Sequence, residues 1–116
     1  SIADLGNDIR DALVAGGVRA VTDPRRVDPP RVLILPEEAE FGMMAPGNGN
    51  TTWVLRCLAP PPGNSDAFGI LSDLAAATIT TVPDVQTARM GSYATGPTSD
   101  PWPCIELRFT TVSAWA

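Results

Sequence analysis

The stretch LAPPPGNSDAFGILSDLAAATITTV, residues 58–82, forces a strand and a helix to meet at a stiff corner. Its apolar lead ends at Leu58 and Ala59. Pro60, Pro61 and Pro62 then fix φ and remove three backbone donors, so no regular element runs through them. Asn64, Ser65 or Asp66 can cap the helix that follows, whose stripe runs Phe68, Leu71, Leu74, Ala75 and Thr78. The β-branched end, TITTV, predicts a last turn that frays or is already extended before Pro83. A chain built around such a corner carries both a sheet and helices.

The flanking segments fill in that frame. In IADLGNDIRDALVA, residues 2–15, Ile2, Leu5, Ile9, Ala12 and Leu13 recur with helical spacing. Ser1 and Asp4 suit the start of this helix and Gly16-Gly17 its stop. Gly6 weakens it by about 1 kcal/mol relative to Ala. VRAVT, 18–22, is a short strand or extended arm, and Pro24, Pro29 and Pro30 hold the next segment extended. VLIL, 32–35, is a buried strand whose hydrogen bonding is expected to end at Pro36. FGMMAPGNGN, 41–50, is a flexible connection or the tip of a long hairpin. TTWVLRCLA, 51–59, sets Trp53, Leu55 and Cys57 on one face and Val54, Arg56 and Leu58 on the other. DVQTARMGSYA alternates over 84–94, GPTSDPWP is a turn, and CIELRFTTV alternates over 104–112. The order predicts a single α+β domain over 1–116: a central antiparallel or mixed sheet of about four to five strands with two helices on one face.

The charge balance is 13 acidic against 8 basic residues, a net of −5, with every basic residue an arginine and no histidine. A scattered, net-negative chain argues against a large phosphate-tracking surface or an anionic membrane partner. The missing histidine removes the usual general base and commonest metal ligand, and the missing lysine removes Schiff-base chemistry. Cys57 and Cys104 lie within apolar runs and fit buried, reduced thiols in a soluble, cytosolically made protein. GNGN at 47–50 lacks the Lys-Ser/Thr and following helix of a phosphate loop. No catalytic, cofactor or metal residues are assigned, and an enzyme is not expected.

What remains are residues suited to contact with another chain. Arg25 and Arg26 stand on the proline-rich arm and can meet an acidic patch such as Glu37, Glu38 and Glu40 of an identical chain. Met43 and Met44 sit on a loop, where methionine fills interface gaps well. Trp102, between two prolines, and Trp115 are stiffly presented aromatics suited to anchoring. Arg56, Arg89 and Arg108 lie in strands and, if their faces coincide, can pair with Glu106 or point into an oligomer channel.

The ordered set of segments resembles the tail terminator, or tail completion, proteins of long-tailed bacteriophages, particularly those infecting actinobacteria. It comprises IADLGNDIRDALVAGGV, DPPRVLILP, the loop, TTWVLRCLAPPPGNSDAFGILSDLAAAT, VQTARMGSY and PWPCIELRF, and covers nearly the whole chain. The resemblance implies a structural virion protein without cofactors that forms a homohexameric ring at the head-proximal end of the tail. Such a ring ends tube polymerisation. Its implied partners are itself, the major tail tube protein and the head–tail connector or stopper, with genome DNA passing through the lumen and no membrane. The implied location is the virion, and the host cytoplasm during assembly. The resemblance also places VLIL, WVLRCLA and CIELRF in the sheet with Phe68, Leu71 and Leu74 against it. A stopper or adaptor ring protein and a cytosolic ligand-binding or regulatory module are the competing readings, and assembly state separates the last of these from the others.

Overall fold

A computed structural model describes residues 1–42, 46–60, 66–94 and 101–115. Helix α1 spans Ile2–Ala15 and opens on a capping box, in which the Ser1 hydroxyl accepts from the Asp4 amide and the Asp4 carboxylate reaches back to the chain start. Gly16 closes it, and Gly17 turns the chain away at φ +85°, where L side chains are strained. Strand β1 is Ala20–Val21, β2 is Arg31–Glu40 and β3 is Asn48–Leu58. Helix α2 spans Ala67–Thr81, followed by β4, Thr87–Tyr93, and β5, Trp102–Ala114. The five strands lie in the order β1-β2-β3-β5-β4, parallel between β1 and β2 and antiparallel elsewhere.

Both helices lie on one face of this sheet, as the sequence order predicts. Residues at alternate positions, Val32 and Ile34, Trp53, Leu55 and Cys57, and Ile105, Leu107 and Phe109, form the core with Leu13, Leu71 and Ala75. Helix α1 lies over β1 and β2, and α2 over β3 and β5. Gly6 faces the sheet because its Cα approaches the Trp53 ring; a Cβ there would lie 3.4 Å from Cη2 and Cζ3. The helix-weakening glycine thus makes room for the largest core side chain. Leu33, Leu58 and Cys104 form a smaller cluster on the opposite face with Leu35, Tyr93 and Trp102 around it.

Four sequence expectations change. Pro36 does not end β2, which continues to Glu40 through an irregularity between Pro36 and Glu38. Val32 donates to Arg19 on the side away from β3, so by alternation Pro36 turns its donor-free nitrogen to the free edge and costs no bond to β3. The proline-rich arm holds a short 3-10 turn, Pro24–Arg26, because the Asp23 carboxylate accepts from the Arg25 amide at 2.9 Å. Trp102 and Pro103 belong to β5 rather than to a turn. Helix α2 does not fray at TITT but runs to Thr81, and Thr78, Thr80 and Thr81 fit within it with their hydroxyls donating to carbonyls four residues back, at 2.8–3.2 Å.

Cys57 and Cys104 are free and buried. Register explains why they do not meet. Cys57 pairs with Ile105 while Leu58 pairs with Cys104, so the two thiols project from opposite sheet faces. We expect neither to react with a bulky thiol reagent in the native protein at pH 8, and both to react once unfolded. Rapid stoichiometric labelling of the native chain would contradict this placement.

Candidate assembly surface

The face of the sheet away from the helices carries a continuous row of charge. The pairing registers bring Arg89 opposite Glu106 on β5 and Glu106 opposite Arg56 on β3. Arg56 donates to Glu106 at 3.1 Å and stacks over the Tyr93 ring, 5.3 Å from its centroid. Arg108 donates to both oxygens of Glu37, at 2.8 and 3.3 Å, and reaches Glu106 at 3.5 Å. Glu106 therefore holds two guanidinium groups apart. Replacing it with Gln leaves Arg56 and Arg108 facing each other half-buried, and should cost about 1–2 kcal/mol in urea unfolding. An unchanged midpoint would show that the row carries no stability.

Hydrogen bonding from Arg108 holds the Glu37 carboxyl below its ordinary range, and the same contact raises Arg108. Because the folded value for Glu37 is depressed, the contact stabilises above the ordinary carboxylate value and is lost as pH falls through the folded one. Glu37 is more than one-third exposed, so solvent screening keeps the effect small. Among the described residues Arg89 makes no close ion pair, although its charge also helps to lower Glu37 and it lines one hollow with Glu37 and Arg108, and Glu38 and Glu40 make no ion pair.

The second feature is the β4 edge. Every residue from Thr87 to Ser92 is exposed, and neither helix packs on this strand more than marginally. Phe68 was expected against the sheet and is instead 69 % exposed. At 100° per residue, Phe68 and Ile79 share a flank of α2 roughly 90° round from the sheet-facing Thr78 and opposite Thr81, which lies near α1. That flank overlooks β4. Met90, on the helix side of β4 opposite Ile105, is 57 % exposed. Phe68, Ile79 and Met90 thus leave an apolar shelf beside a strand with unpaired backbone groups.

The other end of the sheet is also open. Strand β1 covers only Val32 and Leu33 of β2, so β2 is uncovered from Ile34 onward. A cavity of about 370 Å³ lies there between α1 and β2, lined by Ile2, Ala3, Ile34, Pro36 and Trp53 among others. Glu38 and Glu40 project from the same stretch, exposed, on the charged side of the sheet.

The remaining sequence candidates are dispersed. Arg25 and Arg26 are exposed and both approach Asp23, at 3.3 and 3.8 Å. Trp102 lies half-buried beside Leu58 and Cys104. The Trp115 indole packs edge-on against Phe41 at 5.9 Å and donates to the buried Thr51 hydroxyl at 3.0 Å, so this ring has a partner within the chain. Met43 and Met44 lie outside the described residues. Among the described residues, no group of three or more His, Cys, Asp or Glu is placed to hold a metal ion. No helix is long and apolar enough to cross a membrane.

Sequence patterning missed the shelf for an identifiable reason. Helix α2 is apolar on nearly every side, with Asp73 its one charged residue, so periodicity could not tell its outer flank from its core stripe. That all-round apolarity was the available signal. Compared with known proteins, the chain matches no family model and no curated protein.

Proposed function

We propose that this chain is a structural subunit of a homo-oligomeric ring, of the tail terminator kind, that caps the head-proximal end of a phage tail tube and joins it to the head connector. The observation that carries the reading is the unfinished β4 edge with Phe68, Ile79 and Met90 beside it. A small domain that buries its core well yet leaves a bare strand and large apolar side chains together is suited to a life among copies. The order of segments supplies the phage context. Repetition of one edge-to-edge contact closes a ring when its rotation divides a full turn.

Electron microscopy of the purified protein mixed with tails lacking their terminal ring tests this reading. Six-fold rings on one tube end are the expected result. Binding along the tube, or none, overturns it. The cavity between α1 and β2 favours the ligand-binding alternative. A protein that stays monomeric at high concentration and ignores tail tubes would select that alternative.

A further inference from the structure

We infer that neighbouring copies join head to tail, the β4 edge of one laid antiparallel against the uncovered stretch of β2 in the next, with Arg89 opposite Glu38 and Met90 opposite Pro36. This rests on the ring reading and specifies its contact. Strand direction comes first. Strands β4 and β3 both run antiparallel to β5, and β2 runs antiparallel to β3, so β4 is antiparallel to β2 within one sheet. A second copy in the same orientation beside β4 therefore offers β2 in the antiparallel sense without being turned over.

Both faces then match. Arg89 projects on the charged face, level with Glu106, and so do Glu38 and Glu40, level with Thr52 and Asn50. The Arg89 guanidinium, which makes no close ion pair in its own chain and feels Glu37 there only at longer range, meets the acidic run of the next copy. On the helix face, this docking brings Met90 of one copy, with the exposed Phe68 on the same side, to the 370 Å³ cavity that Pro36 and Ile2 of the next copy line. The irregularity in β2 makes one register serve both sides. With Glu37 left out of the pairing, as it is against β3, Thr87 meets Glu40, Arg89 meets Glu38, Met90 meets Pro36 and Gly91 meets Leu35. Every such pair shares a face. Pro36 presents no N–H at this edge, which shortens the possible ladder and leaves the choice of partner to side chains.

Charge reversal tests the contact. Arg89→Glu and Glu38→Arg are made singly and together, and assembly is followed by sedimentation velocity across protein concentration, with circular dichroism to check the fold. Each single variant should raise the concentration for half-assembly roughly tenfold or more, and the double variant should restore it. Hydrogen exchange should show amides of residues 87–93 becoming protected on assembly of the wild type. Single variants that assemble normally, or a double variant that fails to recover, overturn the contact. Rings that form regardless of both reversals leave the ring reading standing and remove only this interface. Assembly that obeys the reversals but never caps tail tubes does the opposite. A wild-type chain monomeric at every concentration removes both.

Discussion

Trp53→Ala should cost about 3–5 kcal/mol and bring the domain close to unfolding at room temperature, since a chain of this size holds only roughly 5–15 kcal/mol. Trp53 is the largest fully buried side chain and stands on the central strand under α1. Its loss removes the surface against which Gly6 rests, and the void joins the open cavity between α1 and β2. Water entering there would expose the inner faces of Ile34 and Ile2. Trp53→Phe should cost much less, because the indole N–H is buried without a partner and its removal relieves a desolvated donor. The pair with Gly6 gives a sharper check. Gly6→Leu alone should be severely destabilising, whereas in the Trp53→Ala background part of its cost should disappear as Leu fills the void. A double-mutant cycle in urea measures that coupling. Strict additivity would mean that α1 does not rest on this ring.

The faces of β3 and β5 were legible because strict alternation leaves one assignment that buries Trp53, Leu55, Leu107 and Phe109 together. The start of α1 at Ser1 and Asp4 was legible as local chemistry, while the reciprocal bonding of the two is seen in the structure. Pro36 was not. Its effect depends on which side of the strand its nitrogen faces, and that follows from the β1 contact at Arg19–Val32 rather than from residues near it. The charged row was half legible: alternation put Arg108 on one face with Glu106 but left open whether Arg56 and Arg89 shared it, which the strand registers decide, and the β2 irregularity brings Glu37 to Arg108. Phe68 illustrates the converse. Its helical position lies at the margin of the buried arc, and the sequence alone does not say that the sheet extends past α2 without covering it.

Raising the pH from about 8 to about 10.5 should remove roughly 2 kcal/mol of stability for each cysteine, beyond whatever other groups contribute. Burial pushes the Cys57 thiol up to about 11. Burial, reinforced by the nearby Glu106 carboxylate, pushes Cys104 up to about 12. Both folded values are raised, so the native state holds its protons while the unfolded chain, near its model value of 9.0, gives them up. Stability is therefore fully present below about pH 9 and falls as pH climbs through the folded values. A Cys57→Ala, Cys104→Ala protein isolates the effect. It should start less stable at pH 8, through two small voids, yet lose about 4 kcal/mol less between pH 8 and pH 10.5 in urea titrations. Parallel pH profiles for the two proteins would mean that the thiolates find water without unfolding, and hence that the two sheet faces are less sealed than their burial indicates.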